Sequence, residues 1–141
     1  SKINSINNNL GDLENNLIMI YPEIKYQEII GFGGAFTEAA GFCLSKLKLN
    51  LQENLVKDYF SEQGLNYTLC RTHINSCDFC LNTYAYSNNE SLSDFSIDRD
   101  KKYIIPMIKS ALKINPNISL VATPWSPPAF MKDNKRMRKR R

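Results

Sequence analysis

The chain has 141 residues, 43% of them hydrophobic and 23% charged, the make-up of an ordinary globular domain rather than a disordered one. That length excludes a complete eight-stranded α/β barrel of about 250 residues, and the longest near-apolar run, residues 29–36, falls well short of the roughly 20 that span a membrane. The +4 charge is local: residues 131–141 hold seven Lys/Arg and one Asp, and the rest hold 11 basic and 13 acidic groups, so a nucleic-acid partner would rest on eleven terminal residues.

In chain order, residues 17–30 read as two short strands broken at Tyr21-Pro22-Glu23. Gly31-Phe32-Gly33-Gly34 follows, and Thr37 is placed to cap a helix from Glu38 to about Leu47. Asn50 with Glu53 resembles a capping box. Leu51, Leu55, Tyr59 and Phe60 recur at helical spacing, with Gly64 as the stop. Residues 67–76 are rich in β-branched and aromatic side chains and read as a strand. A polar connection runs to about Ser96. Pro106 suits a first helical turn, so residues 106–114 read as a helix with Met107, Ile108, Ala111 and Leu112 inward and Asn115-Pro116 ending it. Residues 118–123 form a short apolar strand stopped by Pro124.

The order β-α-α-β-α-β implies a parallel sheet, and such sheets bind ligands beyond the carboxyl ends of their strands. Those ends are residues 33–37, 76–79 and 123–126, and the functional side chains are expected there.

Several constellations invite chemistry. Gly31–Gly34 lacks the spacing of a dinucleotide or phosphate loop, so its glycines are expected to serve the backbone. Cys70, His73, Cys77 and Cys80 have zinc-like spacing. Strand alternation, however, sends Cys70 and His73 to opposite faces, which leaves separate reduced thiols and a packed His73, and no metal. Four cysteines, counting Cys43, are too few for a disulfide scaffold. Glycosylation triplets at Asn66, Asn89 and Asn117 do not fix a compartment, and the polar residues 1–9 contain no secretory stretch. Trp125, the single tryptophan, stands at a strand end between prolines, where its ring can offer a face to sugar C–H groups. Asp78 offers acceptors for sugar hydroxyls. Arg71 shares a strand face with His73 and Asn75 and needs a partner there, yet the chain has no obvious acid to give it.

These stretches together resemble glycoside hydrolase family 30, the glucosylceramidase family. The likeness covers about residues 18–134. It runs through Tyr26-Gln27 to Ala40, then Tyr59–Ser61, Gly64, Tyr67, Arg71 and Asn75-Ser76-Cys77-Asp78-Phe79. Asp94–Ile97, Ile105-Pro106 and Thr123-Pro124-Trp125 to Lys132 complete it. The resemblance implies about the first three βα units of a (β/α)₈ TIM barrel over residues 31–134, with residues 1–30 supplying strands of a side β-domain. It implies a retaining β-glycosidase acting on glucosylceramide or related β-glucosides, with no cofactor. Asp78, Phe79 and Trp125 match substrate-binding positions, and Arg71 matches a residue beside the catalytic carboxylates. The family's acid/base Glu, in an Asn-Glu-Pro peptide, and its nucleophile Glu have no counterpart in these 141 residues. The chain is therefore expected to be an N-terminal fragment without a catalytic residue, inactive alone. Residues 135–141 are expected to be a disordered or frame-shifted basic tail.

Two rival expectations stand beside this one. A non-catalytic carbohydrate-binding remnant would hold glucosides weakly through Trp125. A small zinc and nucleic-acid module would need both the cysteine cluster and the basic tail. Oligomeric state and compartment do not follow from the sequence.

Overall fold

The computed structural model describes residues 19–138. Strands β1 (Ala35–Phe36), β2 (Leu69–Ile74) and β3 (Ser119–Pro124) form one parallel sheet in the order β1-β2-β3. Helices α1 (Glu38–Ser45) and α2 (Leu49–Phe60) connect the first pair, and α3 (Ile104–Ile114) connects the second. The β-α-α-β-α-β order expected from the sequence is found, since parallel neighbours need a crossover, which helices supply. Its first strand, however, is Ala35–Phe36, past the glycine run, and not within residues 19–30.

Thr37 starts α1 as expected, its hydroxyl accepting from the Ala40 N–H at 3.2 Å. The capping box at Asn50 does not form. Helix α2 begins two residues earlier, with Lys48 as an extended N-cap, and Lys48 O accepts from Leu51 N and Gln52 N at 2.9 and 3.0 Å. Asn50 thus lies inside the first turn, where its side chain cannot cap. The buried stripe is also rotated from the expected one. Val56 and Phe60 face the sheet, whereas Leu51, Leu55 and Tyr59 stay substantially exposed. In α3 Ile104 and Ala111 are buried, Met107 and Ile108 pack against the core, and Leu112 faces outward, contrary to the expectation.

The core lies between the sheet and the helices: Phe36, Val56, Phe60, Cys70 and Ala111, with Leu44, Tyr67, Met107, Ile108 and Ile118 against it. Phe36 and Phe60 stack at 5.6 Å and Tyr67 meets Phe60 edge-on at 6.0 Å. Burial of Phe36 and of Phe60 contributes about 1.5–3 kcal/mol each.

Residues 19–30 do not form the expected strand pair. Ile24 N donates to Tyr21 O (3.1 Å) and closes a turn at the expected break, but residues 19–30 join no sheet among the described residues and lie exposed. Residues 17–18 lie outside the described residues. The glycine run serves close approach, not unusual dihedrals. A Cβ on Gly33 would stand 2.0 Å from Leu69 O, and one on Gly31 2.3 Å from Thr68 Oγ1. Without side chains there, Phe32 O reaches Thr68 N and Leu69 N at 2.9 and 3.2 Å and docks the entry to β1 on β2.

Candidate sugar site at the strand ends

Strand β2 alternates as its sequence demands. Cys70 points into the core, and Arg71 and His73 project to the other face of the sheet. Just past the strand, Asn75 takes φ 62°, a left-handed conformation that asparagine tolerates better than most residues. This turn redirects the chain, and Asn75 is held from two sides: its Oδ1 accepts from Tyr86 N (2.9 Å), and its carbonyl lies 2.6 Å from His73 Nδ1.

The loop after the turn is anchored on the first turn of α1. Ala39 N donates to Phe79 O (3.0 Å), and Leu81 N donates to Glu38 Oε2 (2.8 Å). Buried Glu38 is also paired with Arg99 at 2.9 and 3.2 Å, so its charge is matched and its acceptors are occupied. A second buried carboxylate, Asp100, accepts from the hydroxyls of Tyr84 (2.8 Å) and Tyr86. Burial, with the Asp100 carboxylate next, drives both phenols far above the usual tyrosine range. The two clamps fix the long polar connection between β2 and α3. Sequence reasoning passed over both, because nothing in the local pattern of Glu38, Tyr84, Tyr86, Arg99 or Asp100 distinguishes a clamp from a solvated polar residue.

All four site residues expected from the sequence line one small cavity of about 100 Å³: Arg71, Asp78, Phe79 and Trp125. Asp78 and Trp125 also line a neighbouring cavity of about 720 Å³ with Ser76, Thr83 and Lys132. Trp125 is half exposed and Phe79 more so, which leaves ring faces available to a ligand. Arg71 finds a partner the sequence did not suggest. Its guanidinium lies 4.8 Å from the Trp125 ring centroid, a cation–π contact worth about 0.5–2 kcal/mol. No carboxylate pairs with Arg71 among the described residues.

The start of the basic tail lies at the same end of the sheet. Ser126 Oγ and Lys132 Nζ both donate to Met137 O, at 2.7 and 3.0 Å, and Met137 and Arg138 help line the larger cavity. Residues 139–141 lie outside the described residues.

The cysteine cluster departs from expectation. Alternation removes Cys70, as anticipated, but His73, Cys77 and Cys80 converge, with their ligand atoms within 4.8 Å of one another. The loop past Asn75 turns back under β2 and brings both thiols to the His73 ring. Cys77 N donates to Cys80 Sγ (3.2 Å), and burial pushes the Cys80 thiol up to about 11.

The profile of the glycosyl hydrolase family 30 TIM-barrel domain matches residues 29–140. The chain belongs to glycosyl hydrolase family 30. It is 40% identical over 126 residues to mouse (Mus musculus) lysosomal acid glucosylceramidase and 43% identical over 126 residues to a putative glucosylceramidase 3 of Caenorhabditis elegans. Each match covers 86% of this chain and 24% of the relative. Among solved structures, SrfJ from Salmonella typhimurium superposes with a TM-score of 0.75 at 45% identity. That match covers 78% of this chain and 25% of SrfJ. The endo-β1,6-glucanase BT3312 gives 0.73 at 32%, over 79% and 25%. The chain thus spans about a quarter of the length of the relatives it matches, and its three-stranded parallel sheet is part of the family-30 barrel.

Proposed function

We propose that this chain supplies part of the sugar-binding wall of a retaining β-glycosidase of the glucosylceramidase kind, with glucosylceramide or related β-glucosides as substrate. One observation carries the reading: Arg71, Asp78, Phe79 and Trp125, from two different strand ends, meet in one cavity at the carboxyl edge of a family-30 sheet. In this reading Trp125 and Phe79 cover the apolar face of the sugar, Asp78 accepts from its hydroxyls, and Arg71 orients carboxylates that approach the same face. Residues 31–134 belong to the barrel and residues 1–30 to a side β-domain.

Retaining chemistry needs two carboxyl groups about 5–5.5 Å apart. Asp78 is the one acid lining either strand-end cavity among the described residues, and Glu38 is committed to Arg99 and Leu81 N. The 141 residues alone are therefore proposed to be inactive. The same observation supports a second reading, a non-catalytic glucoside-binding surface.

Complementation tests the proposal. The chain is co-expressed with a polypeptide supplying the remaining three quarters of a family-30 relative, and hydrolysis of an aryl β-glucoside and of a β-1,6-glucan is followed. Turnover of the β-glucoside by the pair, none by the chain alone, and loss with Asp78→Ala are expected. Turnover by the chain alone above a heat-treated control would overturn the first reading. Binding without turnover in every pair would favour the second.

A further inference from the structure

We infer that His73, Cys77 and Cys80 form a binding site for a thiolate- and imidazole-seeking d¹⁰ cation of the Zn²⁺ class. Three observations converge on it. The first is spacing: Cys77 Sγ and Cys80 Sγ lie 3.6 Å apart, and Cys80 Sγ lies 3.5 Å from His73 Nε2. Tetrahedral zinc, with bonds of about 2.3 Å to sulfur and about 2.0–2.1 Å to nitrogen, holds its ligand atoms roughly 3.5–3.8 Å apart. Two of the three edges match such a tetrahedron, and the third pair of ligand atoms, Cys77 Sγ and His73, lies within 4.8 Å.

The second observation is the histidine tautomer. His73 Nδ1 lies 2.6 Å from the Asn75 carbonyl, which can only accept, so Nδ1 carries the proton and donates. In the neutral ring Nε2 is then bare, and it is the ring nitrogen nearer to Cys80 Sγ, at 3.5 Å against 4.0 Å for Nδ1. A ring N–H held by a backbone carbonyl is the usual support of a metal-ligating histidine. Asn75 is itself held by Tyr86 N, so the support is rigid.

The third is access. His73 is buried while Cys77 is only partly so, and Cys77 lines both strand-end cavities. An ion with these three ligands keeps a fourth position for water or an exogenous donor. On binding, the two thiol protons pass to solvent and two thiolates balance the dication. Cys70, the fourth member of the sequence cluster, is buried in the core on the opposite face and takes no part.

The test uses the full 141-residue chain, reduced and metal-free, carried as a fusion to a soluble partner lacking cysteine and tryptophan. Co²⁺ serves as the spectroscopic probe and Zn²⁺ as competitor. One Co²⁺ per chain is expected, with tetrahedral absorption, a thiolate-to-cobalt charge-transfer band, quenching of Trp125 fluorescence, and displacement by one equivalent of Zn²⁺. Cys77→Ser and Cys80→Ser should each remove the charge-transfer band or weaken binding at least a hundredfold. His73→Gln should weaken it at least tenfold, and Cys43→Ser, remote from the cluster, should leave it unchanged. An octahedral spectrum, binding indifferent to His73→Gln, or a Cys77–Cys80 disulfide that thiol reductants do not open would each overturn the site.

Discussion

At the scale of single residues, the clearest division is between the side chains proposed to face ligand and those that hold the loop. Asp78 and Trp125 line both cavities and hold exposed surface, so their truncation is expected to cost activity in the complemented enzyme and little stability. Trp125→Ala should lower kcat/KM tenfold or more, about 1.4 kcal/mol of transition-state stabilisation. Asp78→Ala should cost more, because in the proposed reading it leaves sugar hydroxyls without their acceptor. Steady-state kinetics on an aryl β-glucoside check both. Tyr84 and Tyr86 belong to the second group. Their folded pKa values lie above that of an ordinary tyrosine, near 10. Their contribution is therefore complete below about pH 10 and is lost as pH rises through the folded values. Ultraviolet titration should show two phenols resisting ionisation until the chain unfolds, and Asp100→Asn should bring them down.

At the scale of elements, backbone approach decides which pieces can meet. Helix α1 touches the start of α3 through Gly41, where a Cβ would stand 2.7 Å from Tyr103 O. Gly33 brings the entry to β1 against β2 in the same way, with backbone rather than a movable side chain in the path. Gly41→Ala and Gly33→Ala are each expected to destabilise by about 1–3 kcal/mol, measured as a fall in the urea midpoint of the complemented enzyme. Gly33→Ala should also disturb the strand-end cavity, since β1 sets one of its walls. Helix propensity alone would have forecast a gain at Gly41. A rise in its midpoint would show that the α1–α3 contact is looser than the structure has it.

At the scale of the whole molecule, apolar surface is the dominant feature. Strand β3 forms one edge of the sheet with Leu120 and Val121 exposed, and Ile29, Ile30 and Phe32 are exposed along the entry to β1. Exposed apolar edges of this kind favour pairing between copies. The 141-residue chain, made without a fusion partner, is therefore expected to self-associate and to melt broadly. Light scattering with thermal circular dichroism checks this, and a sharp cooperative melt from a monomer would contradict it.

The sequence by itself determined the order of strands and helices, the Thr37 cap, the strand ends where Arg71, Asp78, Phe79 and Trp125 gather, and the family. These rest on local regularities: a period of two in strands, 3.6 in helices, and short peptides that keep their register. Tertiary structure decided what those regularities do not reach. It turned Val56 inward beside the expected Phe60 and left Leu51, Leu55 and Tyr59 exposed, because the face a helix buries depends on where the sheet lies. It gave Arg71 the Trp125 ring, tied Glu38 to Arg99 across 61 residues, and folded Cys77 and Cys80 back onto His73 while sending Cys70 to the core. The first two depend on the path of the chain between distant residues, which no window of neighbouring side chains encodes. The cysteine cluster is local, but its convergence depends on the turn at Asn75, which the spacing alone does not give.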